Sequence, residues 1–208
     1  WLNDRPAEVA LPGQLGHYPF DEYKDGKLPN LLSDSNRASS SSKNKIVPGK
    51  NGNALQLTGD DGVNLGVGNF KRTQPFSVAL WMNTPHHKER TVVFSRSKAW
   101  TDAGSRGYQM LLRDGHLSTS LIHFWPGNAI NIRTTAKLPK NEWHHVTITY
   151  DGSTRAAGLA IYVDGKPAET EIHKDNLYKN ITGGGNDHIV IGQRFRDVGF
   201  AKGLVDDF

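Results

Sequence analysis

The chain has 208 residues, with 36% hydrophobic and 22% charged side chains, enough to build a core and too many apolar residues for a disordered polymer. It has no cysteine, which excludes disulfides, thiol catalysis and thiolate metal sites. A net charge of +4 is modest, and no Lys/Arg-rich run, zinc pattern or RNA-binding aromatic motif points to nucleic acid. No apolar run approaches the roughly 20 residues of a membrane span, and no signal peptide is present.

Residues 1–16 read as an approach segment. Asp4 caps a short helix with Pro6 and Glu8 in its first turn, ended by Pro12-Gly13. His17 to Tyr23 is a first strand, placed at an edge by Pro19. Residues 24–50 are polar and turn-rich, with Ser39–Ser42 low in complexity, and are expected to form a long irregular loop. Short strands follow at Ala54–Leu57 and Val63–Val67. Phe76 to Met82 is an apolar run suited to a central strand, and Thr91 to Arg96 is the next. Tyr108–Leu112 and Leu117–Phe124 flank Asp114-Gly115, and Ala129–Thr134 continues them.

The densest signal is Trp143 to Gly165. Val146, Ile148 and Tyr150 alternate with Thr147 and Thr149, then Leu159, Ile161 and Val163 alternate with Ala160, Tyr162 and Asp164. Asp151-Gly152-Ser153 is a turn, and Asp164-Gly165 suits a tight primed hairpin, which needs positive φ. Further strands are expected near Ile172, at His188–Phe195 and at Leu204–Phe208. About a dozen short strands with regular turns predict an all-β, two-sheet antiparallel β-sandwich.

HYPFDE, GNALQL, FSVALW, WHHVTITYDG, IYVDG, IGQRF and the terminal VDDF stand in the family order of the concanavalin A-like, laminin-G-type jelly roll, which residues 17–208 resemble. TDAGSRGYQMLL, LIHFWPGNAINIRT, YDGSTRAAG and RFRDVGF resemble more narrowly the laminin-G-like module of large planctomycete multidomain proteins that also carry cytochrome-c-like domains. With no initiating Met, the chain reads as a piece of such a protein. The resemblance implies a secreted or extracytoplasmic setting, polysaccharide or oligosaccharide as ligand, and neighbouring domains of the parent protein as partners.

Similar glucanases carry Glu-x-Asp-x-Glu on one strand, and that spacing is absent. Glu169 and Glu171 share a strand face but lack a third acid, and read as solvated. His144 and His145 are adjacent and point to opposite faces of a strand. His86-His87 stands in a loop with no evident further metal ligands. An enzyme is therefore not expected.

Trp100 to Arg133 is the region richest in sugar-binding side chains. Aromatic rings meet the apolar C–H faces of sugars, and Arg, Asn or His meet the hydroxyls. The expected ligand-binding residues are Trp100, Arg106, Tyr108, His123, Trp125, Asn128 and Arg133, joined by Arg194 and Arg196. Asn131 lies in the same stretch. Trp125 before Pro126-Gly127 is either an exposed platform or packed over a sheet edge. The arginines either form a patch for acidic or sulfated polysaccharide or are ion-paired with Asp197 and Asp102. Trp81 and Trp143 are expected in the core.

Many similar jelly rolls hold a structural Ca²⁺ where first and last strands meet. The expected ligands are Asp206, pointing inward with Leu204 and Phe208, and Asp21. Asn180-Ile181-Thr182 is a glycosylation acceptor pattern. The expected function is a non-catalytic carbohydrate-binding module. The alternatives are a structural or protein–protein docking domain that binds no glycan, and a hydrolase with an unrecognised acid pair.

Overall fold

The computed structural model describes residues 11–97, 106–185, 187–194 and 197–208. The helix expected near Asp4, the strand end at Phe195, and Trp100, Asp102 and Arg196 lie outside the described residues.

Among the described residues sixteen strands form two antiparallel sheets. In chain order they are β1 (Lys27–Leu28), β2 (Ala38–Ser39), β3 (Lys45–Pro48), β4 (Asn53–Gln56), β5 (Val63–Asn64), β6 (Phe76–Asn83), β7 (Thr91–Arg96) and β8 (Gly107–Arg113). There follow β9 (His116–Phe124), β10 (Asn128–Lys137), β11 (Trp143–Tyr150), β12 (Leu159–Val163), β13 (Lys166–Pro167), β14 (Thr170–Asn176), β15 (Val190–Ile191) and β16 (Leu204–Asp206). The larger sheet has the order β1-β2-β5-β15-β7-β8-β9-β10-β14, and the smaller β13-β12-β11-β6-β16-β4-β3. This is the expected two-sheet sandwich. Three strands lie in the stretch read as irregular loop, because β1 and β2 are only two residues long and β3 four, too short to show a period. The expected first strand at 17–23 is instead a segment whose Tyr18 exchanges two backbone hydrogen bonds with Phe208.

Two of the Asp-Gly pairs make the tight hairpin turns their chemistry demands. Asp114 and Gly115 have φ of 52° and 88°, and Asp164 and Gly165 have φ of 52° and 75°. Positive φ at both central residues matches the right-handed twist of the flanking strands. These turns join β8 to β9 and β12 to β13.

The core fills the space between the sheets. Phe76, Val78, Leu80 and Met82 of β6 meet Val146, Ile148 and Tyr150 of β11 on the inner face of the smaller sheet, while Phe94, Met110, Leu117, Leu121 and Ile130 face them from the larger. Each such side chain contributes about 1.5–3 kcal/mol by leaving water. Phe70, Phe76, Tyr108 and Tyr150 stack at one end, with Phe76 4.7 Å from Tyr108 and 5.6 Å from Tyr150.

The same alternation corrects the placement of Trp81 and Trp143. Trp81 is opposite His145, and Trp143 opposite Asn83. Both lie on the outer face of the smaller sheet and are partly exposed. Trp81 stands edge-on to His145 at 5.2 Å, with Lys50 Nζ 4.8 Å over its ring.

Gly107 opens β8 at φ 149°, and a Cβ there would fall 1.8 Å from the Arg96 carbonyl oxygen of β7. Gly107→Ala is expected to destabilise the domain by about 3 kcal/mol, since the β7–β8 ladder must part to admit a methyl group. Urea unfolding checks this; a loss under 0.5 kcal/mol would refute the close approach.

Candidate functional site

The β9–β10 hairpin ends in the turn Trp125-Pro126-Gly127. Phe124 and Asn128 face one another across it, and Phe124 is 56% exposed. Residues 176–181 run alongside. Asn128 is buried, and its Oδ1 accepts the backbone N–H groups of Tyr178 and Lys179, each at 3.2 Å. Asn176 Nδ2 donates to the Gly127 carbonyl at 2.8 Å, and His123 Nδ1 donates to the Asn180 carbonyl at 2.6 Å. These bonds bring Tyr178, 61% exposed, to the same rim as Phe124 and the partly exposed Trp125. Lys179 Nζ lies 6.0 Å from the Tyr178 ring.

Arg96 secures this segment from below. It is wholly buried on the inner side of β7 and donates to the Ile181 carbonyl at 2.6 Å, to Asn69 Oδ1 at 2.5 Å and to Asp187 Oδ1 at 3.0 Å. Ile181 is buried beneath the loop. A buried guanidinium needs such partners, because an unpaired charge in the interior is costly. The rim is thus rings on the outside, held by fixed backbone anchors within.

The structure brings together Trp125, His123 and Asn128 of the expected residues and adds Phe124, Tyr178 and Lys179. It separates the rest. Tyr108 is 1% exposed in the core, its hydroxyl donates to the Gly68 carbonyl at 2.6 Å, and burial raises its pKa. It cannot touch a ligand. Arg133 is opposite Ser118, five residues along β10 from Asn128 and so about 17 Å away. Its Nη2 donates to the Arg113 carbonyl at 3.0 Å. Arg106 is partly exposed, and Gly184 packs against its backbone.

Arg194 is 3% exposed and lies across the outer face of the larger sheet, where it bonds Gln109 Oε1 and Asp197 Oδ2. Asp197 also accepts from Arg90 at 2.8 Å and 3.0 Å. Burial alone would raise the Asp197 pKa, but the Arg90 hydrogen bonds and the two guanidinium charges outweigh it and lower it. The exposed arginine patch is therefore corrected for Arg194, which belongs to a largely enclosed ion-paired network with Asp197 and Arg90, while Arg133 is held at the Arg113 carbonyl. Ser95, Ser118, Ser120 and Asn131 share this outer face and are also closed to solvent; Asn131 Nδ2 reaches both Ser118 Oγ and Ser120 Oγ.

The other candidates are dispersed. Glu169 and Glu171 are exposed, and Glu169 Oε2 accepts from Thr135 Oγ1 at 3.0 Å. His144 Nδ1 is 2.8 Å from Asp164 Oδ2 on the side opposite His145. His86 and His87 donate to different carbonyls, those of Ala201 and Leu138.

Asp206 is buried, but not in the core. Val205 pairs with Met82 and turns inward, while Asp206 pairs with Trp81 on the outer face and is covered by the loop 49–53. Asp207 at φ 46° then breaks the alternation, so that Phe208 returns to the core beside Phe94. The expectation that Asp206 points inward with Leu204 and Phe208 is overturned by this register. Asp206 Oδ2 accepts the backbone N–H groups of Lys50 at 2.8 Å and Asn51 at 2.9 Å. Asp21 Oδ1 accepts that of Asn53 at 2.8 Å. Oδ1 of Asp206 is buried without a hydrogen-bond partner. Such an oxygen suits calcium, yet among the described residues no group of three or more His, Asp or Glu gathers to hold a metal. Burial, then the charges of Asp207 and Asp21, push the Asp206 pKa up to about 6 against the backbone hydrogen bonds.

Against known proteins, residues 57–208 match the profile of the concanavalin A-like lectin/glucanases superfamily, and the chain belongs to that superfamily. No curated protein matches it in sequence. Solved structures share the fold. The binding domain of Paraclostridial Mosquitocidal Protein 1 is 16% identical with a TM-score of 0.68, over 93% of this chain and 47% of that one. Domain 4 of AbnA, an extracellular GH43 arabinanase from Geobacillus stearothermophilus solved with arabinotriose, is 20% identical with a TM-score of 0.59, over 92% and 88%. The botulinum neurotoxin serotype G binding domain is 16% identical with a TM-score of 0.63, over 93% and 46%. The chain thus spans about half the length of the two toxin domains.

Arg194→Ala is expected to cost about 3 kcal/mol, the scale of breaking a buried ion pair, read as a lower unfolding midpoint. An unchanged midpoint would show that Arg194 is dispensable to the fold.

Proposed function

We propose that this domain is a non-catalytic carbohydrate-binding module that recognises polysaccharide at the rim of Phe124, Trp125 and Tyr178. The supporting observation is the exposure of aromatic rings on anchored backbone. Rings offer flat apolar surface to sugar C–H faces, and anchors remove the ordering cost of binding. Lys179 and His123 stand beside the rings and favour glycans bearing carboxylate or sulfate. The AbnA domain, solved with arabinotriose on the same fold, supports the reading by analogy. A secreted or extracytoplasmic setting within a larger protein belongs to it; no helix among the described residues is long and apolar enough to cross a membrane.

The test is retention on neutral, uronic and sulfated polysaccharides. Trp125→Ala and Tyr178→Ala are expected to weaken retention on an acidic glycan at least tenfold while melting temperature stays within about 2 °C. Retention that is unchanged in both variants, or absent in the native protein for every glycan, would refute the site.

We include a structural calcium ion in the proposal, with Asp206 Oδ1 and Asp21 Oδ2 as side-chain donors. Without calcium, the raised pKa of Asp206 means that the folded state holds its proton more tightly than the unfolded chain. Stability from this group then rises as pH falls from above 6 towards 4, and is lost as pH rises through 6. In chelator at pH 8, Asp206→Asn should therefore be more stable than the native protein by roughly 3 kcal/mol at most, with the difference vanishing near pH 4. Calcium at millimolar concentration should raise the melting temperature of the native protein and leave Asp206→Asn unmoved. Equal responses of the two would remove calcium from the proposal.

A further inference from the structure

His123 is the extra residue of a β-bulge. Asn128 of β10 pairs with Phe124 and Ala129 with Ile122, so no residue of β10 stands opposite His123. A bulge re-aims its extra side chain out of the regular alternation of the strand. Here the ring turns to the segment 176–181, where Nδ1 lies 2.6 Å from the Asn180 carbonyl oxygen. A carbonyl only accepts, so Nδ1 carries the hydrogen of this bond, and the neutral ring keeps its lone pair on Nε2. Nε2 makes no hydrogen bond among the described residues, and His123 is only partly buried. Protonation at Nε2 leaves the Nδ1 bond in place, because Nδ1 donates in both the neutral and the charged ring. The rim can thus change its charge without releasing the segment that carries Tyr178 and Lys179.

Among the described residues, the charged groups about this ring are cations. The facing segment brings Tyr178 and Lys179. On β8, Gly107 pairs with Ile122, which sets the partly exposed Arg106 beside His123 at the strand end. β10 contributes the uncharged Asn128 and Ala129. Neither 123–128 nor 176–181 contains Asp or Glu. Carboxylates on the adjoining elements are already engaged, Asp187 with Arg96 Nη2 at 3.0 Å and Asp175 of β14 with the Ala156 N–H at 2.8 Å. The counter-charge that suits a protonated His123 is therefore a bound anion.

We infer that His123 makes the hold of the rim on anionic glycans tighten as pH falls through the range in which histidine titrates. The inference rests on the glycan reading of the rim and adds its regulation. A histidine side chain changes its charge between about pH 8 and pH 5. The coupling is reciprocal: what the imidazolium adds to the binding of an anion, the bound anion returns as affinity for the proton. Sulfate esters stay charged throughout that range, so with a sulfated glycan the change belongs to the protein. A neutral glycan offers no counter-charge and gains nothing from the proton.

Affinity of the whole chain for dextran sulfate and for dextran, at about pH 8 and about pH 5 and one ionic strength, tests it. His123→Asn is the control, since the Asn amide can donate to the Asn180 carbonyl but does not titrate. The gain in affinity for dextran sulfate on going to the lower pH should be about threefold larger in the native protein than in the variant, the scale of one exposed ion pair. Dextran should show no such difference. Calorimetry in buffers of different ionisation heat should also show proton uptake when the native protein binds dextran sulfate, and less in the variant. Equal gains in native protein and variant, or no proton uptake by the native protein, would overturn the role of His123 and leave the glycan rim standing. No binding of dextran sulfate by the native protein at either pH would instead remove sulfated glycans from the rim, and this inference with them.

Discussion

The eight-residue ladder between β6 and β11 decides which side of the smaller sheet is core. A slip of one residue would turn Phe76, Val78, Leu80 and Met82 out to water and bring Ser77, Ala79 and Trp81 in. At about 1.5–3 kcal/mol for each large apolar side chain, the penalty is comparable to the whole stability of a typical domain. The ladder also carries the pairing of β16 and hence the position of Asp206. The outer-face tryptophans and the covered carboxylate both follow from one register.

The larger sheet supports function differently. Its hairpin from β9 to β10 extends beyond the core and ends in aromatic residues. Asn128, Asn176, His123 and Arg96 hold a second segment against that hairpin through hydrogen bonds to backbone. Recognition by this rim depends on anchors of which Asn128 and Arg96 are buried. The outer face behind it, with Arg194 laid across Gln109, is closed and serves the fold.

Much of the fold was legible in the sequence. Phe76–Met82 and Val146–Tyr150 alternate with period two, and Asp114-Gly115 and Asp164-Gly165 announce their turns. The strands that escaped notice, such as β1 and β2, are bridges of two residues stabilised by neighbours distant in the chain. The outward placement of Trp81 was in fact readable, since it shares parity with Ser77 and Ala79 in the same strand; size and aromaticity suggested the core instead. The candidate site was only half legible. His123, Trp125 and Asn128 are near one another in the chain, whereas Tyr178 and Lys179 arrive from some fifty residues away through hydrogen bonds to Asn128. Arg194 looked accessible because alternation does not reveal what lies over a strand end.

The central claim is that the rings at the β9–β10 turn meet the sugar. Its most direct test is amide and indole chemical-shift mapping by NMR during titration with a uronic-acid oligosaccharide. The account predicts the largest changes at the Trp125 indole N–H and at the amides of Phe124, Tyr178 and Lys179, with Trp81 and Trp143 unmoved. Changes centred on Trp81, or none anywhere at saturating oligosaccharide, would contradict it.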